Sequence, residues 1–220
     1  MKIIDAYSVI EENIDGKAVL ARLGRAGRTA YKSVAGSESG NAEKFVRRLI
    51  KRGHLSVIEH ESVTVRIVCD RGVSHEIVRH RIASYTQEST RFCNYAGNRF
   101  GGEITVIRPS FWDAKKTHKT AYRIWLGAMK QAEIAYIALV KAGARPEEAR
   151  GVLPNSLKTE LVVTMNLREW RHFLTLRTAA AAHPQMREIA TGILREFVRA
   201  IPAIFDDIGP SIKNQRVTKH

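Results

Sequence analysis

Cysteine is scarce in this sequence of 220 residues, which contains only Cys69 and Cys93. The two lie too far apart to form a CxxC site, and they do not make a disulfide framework. Because Cys69 stands in a stretch where apolar and polar residues alternate, we expect it to be a buried free thiol. Such a chain suits a reducing compartment.

Long apolar runs are also missing. No run approaches the roughly 18 residues that a membrane-spanning helix requires. The first residues, Met1 to Asp5, lack the basic stretch, the apolar core and the cleavage site of a signal peptide. We therefore expect a cytoplasmic location and no membrane partner.

Glycine-rich nucleotide loops and metal-binding motifs are absent as well. The sequence has no GxGxxG after a strand and no GxxxxGKS or GxxxxGKT loop, which argues against a Rossmann enzyme. It does not exclude a nucleotide ligand, because arginine clusters also bind phosphates. The histidines show no HExxH-like spacing, and His80 stands between two arginines that would repel a cation, so we expect no bound metal.

Positive charge is what the sequence has in excess, with a formal net charge of +14. Such an excess attracts polyanions, and nucleic acid is the first candidate partner. Small phosphorylated ligands held by several arginines would produce the same bias. Charge alone therefore leaves both classes of ligand open.

Hydrophobic periodicity predicts more helices than strands. Helical patterns cover about 42–50, 73–81, 114–142, 167–177 and 186–201, Pro146 opens another helix, and alternating stretches at 61–70 and 103–107 predict strands. We expect a loop at 36–40, helix ends at Gly53 and Gly143, and a frayed tail at 213–220. The inward face of the helix at 114–142 is expected to carry Ala121, Trp125, Ala128, Ala132, Ala135 and Leu139.

Because the strands are few and come early, these patterns predict an α+β fold rather than a regular βαβ alternation. We expect a small mixed or antiparallel sheet packed with several long helices, in a single domain over residues 1–220.

Residues 76–91 concentrate basic and polar side chains. Glu76, Arg79 and His80 would share one face of a helix, and positions 87, 89 and 91 would then project to one side of an extended segment. An arginine fork matches phosphate oxygens and a serine hydroxyl can donate to them, so the segment is a candidate anion site. The alternative is a solvated basic helix face with a polar loop, which is the usual meaning of a basic run.

The order of residues in this segment is more specific than its charge. Arg79-His80-Arg81, followed after seven residues by Ser89, resembles the signature of the flavin-dependent thymidylate synthases. Phe92 departs from that family, which often has Tyr there. Further similar blocks follow in family order at His54–His60, Ala149–Pro154, Asn166–Arg168 with His172, and Leu176-Arg177.

The resemblance implies two sets of binding residues. FAD would be bound by Ser56, Arg79, His80, Arg81, Gln87, Asn166, Arg168 and His172. The nucleotide dUMP would be bound by Glu76, Arg79, Gln87, Glu88, Ser89, Thr90, Arg91, Arg150 and Arg177. Of these, Ser89, Arg91 and Arg150 would lie nearest the phosphate, and Arg177 would act in catalysis by stabilising negative charge on the uracil ring.

The resemblance also implies an activity, which is methylation of dUMP to dTMP. 5,10-Methylenetetrahydrofolate would supply the one-carbon unit, reduced FAD the hydride, and NADPH the electrons that reduce the flavin. The assembly would be a homotetramer whose sites are shared between subunits. Ser89 is not expected to be a nucleophile, because no histidine–acid pair is visible around it.

A basic nucleic-acid-binding protein is the main alternative from a different class. No helix-turn-helix, zinc finger or RNA-recognition motif is readable in the sequence, however. We therefore expect no specific nucleic-acid partner.

Overall fold

The computed structural model describes residues 1–30, 42–112 and 118–209. The expected loop at 36–40 and the expected frayed tail at 213–220 lie outside these ranges. Long helices together with short strands make up the described secondary structure, so the α+β prediction is confirmed. Among the described helices, none is both long and apolar enough to cross a membrane.

The elements are numbered in chain order. The strands are β1 (Lys2–Ile4), β2 (Tyr7–Ile10), β3 (Ser62–Asp70), β4 (Ser84–Gln87), β5 (Thr105–Ile107) and β6 (Lys158–Asn166). The helices are α1 (Gly16–Ala30), α2 (Ala42–Lys51), α3 (Arg71–Ile77), α4 (Lys119–Lys141), α5 (Pro146–Ala149), α6 (Leu167–Arg177), α7 (Pro184–Ala200) and α8 (Pro202–Phe205). Short 3₁₀ helices occupy Leu55–His60, Asn98–Phe100 and Arg150–Val152.

The strands pair in a smaller and a larger sheet. β1 and β5 are parallel, with Ile3 opposite Val106. The larger sheet has the order β2-β3-β6-β4. Side chains of β6 alternate between buried and half-buried positions along its whole length, as expected of a strand with one face against a core.

The chain divides into two compact units. The first comprises Met1–Tyr7, Arg66–Arg79 and Tyr85–Val162, and the second comprises Ser8–Val65, His80–Ser84 and the residues from Val163 onwards. Strands β2, β3, β4 and β6 therefore each contribute residues to both units. The expectation of a single domain over the whole chain stays a prediction.

The core of the first unit gathers on one face of α4. Trp125, Met129 and Tyr136 are buried there in a cluster that includes Ile104 and Val106. Burial of each large apolar side chain contributes on the order of 1.5–3 kcal/mol. The burial of these aromatic and aliphatic side chains thus holds α4 in the first unit.

This face of α4 differs from the expected one. Ala128 and Leu139 were predicted to point inward but are exposed, whereas Met129 and Tyr136 are buried. Alanine occurs on several sides of the helix, so its spacing does not define a face. The larger side chains decide the orientation because they bury more apolar area.

The core of the second unit is built from α6, α7 and α8. The ring of Phe197 packs against Trp170 and Phe205, with centroid separations of 5.4 Å and 4.8 Å. Trp170 Nε1 donates a hydrogen bond of 2.9 Å to the carbonyl oxygen of Val63. The apolar stripe expected between 186 and 201 is confirmed as the buried face of α7.

The predicted helix at 73–81 is wrong in its bounds. α3 starts earlier because the side chain of Asp70 caps it, accepting a hydrogen bond from the Val73 amide. It ends at Ile77, whose carbonyl oxygen accepts a hydrogen bond from the Tyr85 hydroxyl. The arginine at 79 and the histidine at 80 follow the helix, so they do not share a helix face with Glu76.

Other sequence-based boundaries are confirmed. Gly53 and Gly143 follow α2 and α4 with φ angles of 77° and 98°, which a residue with a side chain rarely adopts. α6 spans the expected 167–177, and Pro146 opens α5. The strand expected at 103–107 begins at Thr105, and strands β1, β2, β4 and β6 were not predicted.

Candidate functional site

A turn follows β4 in the first unit and presents part of the predicted phosphate site. The Ser89 hydroxyl oxygen accepts a hydrogen bond from the Arg91 amide at 3.3 Å, which fixes the turn. Arg150 Nη1 donates to the hydroxyl of Thr90 at 3.5 Å. Although 60 residues separate the two segments, the fold brings the arginine from the end of α5 to this turn.

Acidic residues at the start of α5 neighbour these arginines. Arg91 Nε lies 3.5 Å from a carboxylate oxygen of Glu147, whose other oxygen lies 2.9 Å from Arg145. Arg91 is exposed, and so is Arg150. The cluster therefore offers two solvent-facing guanidinium groups and one carboxylate that competes for them.

Gln87, at the end of β4, is oriented from two sides. Its amide nitrogen donates to the hydroxyl oxygens of Ser74 at 3.0 Å and Thr159 at 3.1 Å. Both amide protons are used in this way, so the amide can meet a ligand only through its oxygen, as an acceptor. Glu76 lies on α3 and is half-buried, and Arg79 is exposed just beyond the end of that helix.

Glu88 points into the first unit. Its carboxylate accepts a hydrogen bond from the Tyr95 hydroxyl at 2.8 Å and pairs with Lys158 Nζ at 2.6 Å. A cavity of about 480 Å³ lies here, lined by Glu88, Tyr95, Lys158 and the charged residues Arg66 and Glu160, among others. The Glu88 amide also donates to the carbonyl oxygen of Glu160 at 2.9 Å. Both the carboxylate and the backbone N–H of Glu88 are therefore engaged within the first unit.

His80 is the centre of a polar cluster in the second unit. Its Nε2 accepts a hydrogen bond of 3.0 Å from Arg177 Nε, and its Nδ1 lies 3.4 Å from a carboxylate oxygen of Glu169. The rings of His172 and Phe173 pack edge-on against the imidazole at centroid distances of 5.7 Å and 4.9 Å. Four of these groups project from α6, because positions 169, 172, 173 and 177 recur at helical spacing.

Burial sets the protonation of this cluster. It lowers the pKa of His80 from its ordinary 6.5 to about 4, and the positive charge of Arg177 acts in the same direction, as does His172. Burial also raises the pKa of Glu169, against the opposing influence of His172 and Arg168. His80 is therefore neutral near pH 7, and its contact with Glu169 is not an ion pair.

A cavity of about 620 Å³ adjoins α6 in the second unit. Asn166, Arg168 and His172 line it together with Glu59 and Ile82, among others. Asn166 caps α6 by accepting a hydrogen bond from the Glu169 amide, and Arg168 pairs with Glu59 at 2.5 Å. The volume of this cavity is typical of small-ligand sites, and most of its lining side chains are polar or charged.

Ser56 and Arg81 flank this cavity in the sequence. Each is exposed and directly follows or precedes a lining residue, Leu55 and Ile82 respectively. A cation is a poor occupant nearby, although ligand atoms of His80, Glu169 and His172 lie within 4.8 Å of one another. The Arg177 guanidinium already donates to His80. The expectation of no metal stays a prediction.

The two predicted binding sets separate largely by unit. The first unit contains most of the expected dUMP ligands, namely Glu76, Arg79, Gln87, Glu88, Ser89, Thr90, Arg91 and Arg150. The second contains most of the expected FAD ligands, namely Ser56, His80, Arg81, Asn166, Arg168 and His172, and also Arg177. Arg79 and His80 are consecutive in the chain, so the Arg-His-Arg signature itself passes from one unit to the other.

Comparison with known proteins decides which family this arrangement represents. The sequence matches the family model of the thymidylate synthase complementing proteins over residues 12–203. The chain belongs to this family. The resemblance on which the sequence-based expectations rested is thereby confirmed.

Relatives in the thymidylate synthase complementing protein family cover most of the chain. The flavin-dependent thymidylate synthase of Geobacter sulfurreducens is 36% identical over 197 residues, which are 86% of this chain and 82% of the relative. That of Pyrococcus furiosus is 34% identical over 203 residues, or 92% and 78% of the two chains. That of Mycobacteroides abscessus is 34% identical over 208 residues, or 88% and 80%.

Several residues that shape the site of this family member were not predicted from the sequence. Glu147 and Lys158 are paired with predicted ligands, and Glu169 faces His80. A signal existed for Glu169, because a glutamate three residues after Asn166 is the pattern of a helix start. That pattern explains its backbone but not its side chain, which faces a residue 89 positions earlier in the chain.

Proposed function

We propose that this chain is a flavin-dependent thymidylate synthase that methylates dUMP to dTMP. The observation that carries the proposal is the cluster of Ser89, Thr90, Arg91 and Arg150 in a chain of this family. Two exposed guanidinium groups beside a hydroxyl-rich turn are suited to the dianionic phosphate of a nucleotide. Gln87 would accept a hydrogen bond from the same nucleotide.

The cavity beside α6 suits part of a flavin nucleotide. Its lining combines the cationic Arg168, the amide of Asn166, the ring of His172 and the apolar side chain of Ile82. Such a mixture fits a ligand that carries both a flat ring system and phosphates. We assign FAD binding to these residues and to Ser56, His80, Arg81, Arg79 and Gln87.

Arg177 is the proposed catalytic residue. When bound and reduced, FAD would supply the hydride that completes the methyl group, with NADPH as reductant and 5,10-methylenetetrahydrofolate as one-carbon donor. Arg177 would donate hydrogen bonds to the uracil ring and stabilise the negative charge that develops there. Its hydrogen bond to His80 fixes the direction of the guanidinium before substrate binds.

The nucleic-acid-binding alternative is not favoured. The charge of +14 is in part concentrated in the arginines of two small-ligand clusters, and the described relatives are named as enzymes. A homotetramer with shared sites belongs to the proposal as well, because the family resemblance implies it. So does the cytoplasmic location expected from the sequence.

Binding of dUMP to a serine variant tests the phosphate assignment. Replacing Ser89 with Ala removes a hydroxyl that would bond a charged phosphate, so the Kd for dUMP should rise by about tenfold, equivalent to roughly 1.4 kcal/mol. The exposed Ser62, at the start of β3, is the matched control. Ser62→Ala should leave the Kd unchanged in the same calorimetric titration. Equal affinities for wild type and Ser89→Ala would show that the phosphate binds elsewhere.

A further inference from the structure

Glu169 faces His80, which accepts a hydrogen bond from the proposed catalytic Arg177, and Glu169 belongs to neither predicted binding set. It is buried on α6, and its carboxylate lies 3.4 Å from Nδ1 of His80. The other ring nitrogen of His80 accepts the hydrogen bond from Arg177 at 3.0 Å. The imidazole therefore stands between a carboxylate and a guanidinium.

The two neighbours of the His80 imidazole, Arg177 and Glu169, determine which ring nitrogen carries the proton. Arginine nitrogens only donate hydrogen bonds, so Nε2 of His80 must be the unprotonated nitrogen. A neutral imidazole carries one proton, which is then on Nδ1 and faces the carboxylate of Glu169. In the opposite tautomer an N–H of the ring would meet an N–H of Arg177, and the hydrogen bond between them would be lost.

We propose that Glu169 is a positioning residue, whose carboxylate holds His80 in the Nδ1–H tautomer so that His80 in turn holds the Arg177 guanidinium. The effect of Glu169 on turnover rests on the proposed function, because that function makes Arg177 the group that stabilises the uracil ring. The positioning itself is a property of the protein without ligands, and it can be measured there.

Neighbouring groups keep Glu169 in place. Its amide is fixed by Asn166 at the first turn of α6, and the ring of Phe173 packs on His80 from the same helix. Burial raises the pKa of the Glu169 carboxyl, whereas His172 and Arg168 lower it. Helix α6 therefore supplies both the acceptor and the packing that hold the imidazole.

Nitrogen NMR of histidine side chains tests the proposal directly. The full chain is labelled with ¹⁵N-histidine, the His80 signals are assigned with a His80→Gln variant, and the tautomer is read from the two ring-nitrogen shifts at pH 7. Wild type should show the proton on Nδ1. A wild-type ring with its proton on Nε2 would overturn the proposal, whatever the variants do.

Two substitutions of similar size separate positioning from packing. Glu169→Gln keeps an acceptor oxygen, whereas Glu169→Met fills the space without one. One hydrogen bond is worth about 1 kcal/mol, so Glu169→Met should shift the tautomer ratio towards Nε2–H by roughly fivefold. Glu169→Gln should stay within about twofold of wild type. The exposed Glu196, which pairs with Arg199, supplies the charge-matched control Glu196→Gln, with no expected shift.

Kinetics separate a failure of the inference from a failure of the proposed function. Glu169 also lines the cavity assigned to FAD, so kinetics are measured with saturating FAD. With wild type active, Glu169→Met should then lower kcat by roughly fivefold and leave the dUMP affinity near wild type. Unchanged tautomers in Glu169→Met would contradict the positioning role even if dTMP is formed. A wild type that forms no dTMP but shows the Nδ1–H ring would refute the function and leave the role of Glu169 in holding Arg177 intact.

Discussion

Arg91, a proposed phosphate ligand, has an acidic neighbour in the ligand-free protein. Its Nε lies 3.5 Å from Glu147, and the same carboxylate is also paired with Arg145 at 2.9 Å. A phosphate dianion that approaches Arg91 must compete with this carboxylate and is repelled by it. Glu147→Gln removes the negative charge at constant side-chain size, so we expect dUMP to bind more tightly to this variant.

The size of the effect follows from the exposure of the pair. The side chain of Arg91 is 57% exposed and that of Glu147 is 31% exposed. Ion pairs of this kind contribute about 0.2–1 kcal/mol, because water screens them. Release of Arg91 should therefore lower the Kd for dUMP by up to roughly fivefold. At 1 M salt, where the Debye length falls to about 3 Å, most of the difference should disappear.

Calorimetric titration of dUMP at low and high salt measures this change. Glu148 is the matched control, since it is the next residue and pairs with Arg145 at 3.1 Å. Glu148→Gln should leave the Kd close to wild type. Weaker binding in Glu147→Gln would refute the competition and show that Glu147 orients Arg91 instead. An equal gain in dUMP affinity in both variants would show that only the overall charge of the protein matters.

Further predictions concern the stability of each unit. Lys158→Met should lower the free energy of unfolding by about 3 kcal/mol in urea titrations, because it leaves the largely buried Glu88 without its cation. The double variant with Glu88→Gln should recover most of this loss, and a double variant no more stable than the single one would contradict the account. The pKa of His80 is lower in the folded protein than in the unfolded chain, so on acidification the unfolded chain takes up this proton at a higher pH. Stability of the ligand-free protein should therefore fall by up to about 3 kcal/mol as the pH drops from 6.5 to 4, with no contribution above 6.5. His80→Gln should abolish that part of the pH dependence, and an unchanged pH profile in this variant would contradict the assignment.

Local sequence patterns predicted those helices whose hydrophobic spacing or terminal glycine lies within one short stretch of the chain. The bounds of α6 and the buried stripe of α7 follow from helical spacing, and Gly53 marks the end of α2. The α4 face was not predictable in this way, because alanines surround the helix. The early start of α3 was readable from Asp70, whose carboxylate is a favoured cap. The early end of α3 at Ile77 was not readable, since the carbonyl oxygen there bonds to the hydroxyl of Tyr85, eight residues later in the chain.

In the candidate site, too, some features were predictable from the sequence and others depend on residues distant in the chain. The Arg-His-Arg signature and the family blocks supplied the predicted ligands, but no periodicity relates Thr90 to Arg150 or His80 to Glu169. These pairs are 60 and 89 residues apart in the chain, so only the folded chain brings them together. The residues missed by sequence reasoning, Glu147, Lys158 and Glu169, are accordingly charged residues that contact predicted ligands.

Formation of dTMP shows directly whether this chain is a flavin-dependent thymidylate synthase. The purified protein is incubated with dUMP, FAD, NADPH and 5,10-methylenetetrahydrofolate, and dTMP is quantified by chromatography while each component is withheld in turn. We expect dTMP in the complete mixture and none without FAD, NADPH or the folate. Formation of dTMP without flavin, or none in the complete mixture with a correctly folded protein that binds FAD and dUMP, would contradict it.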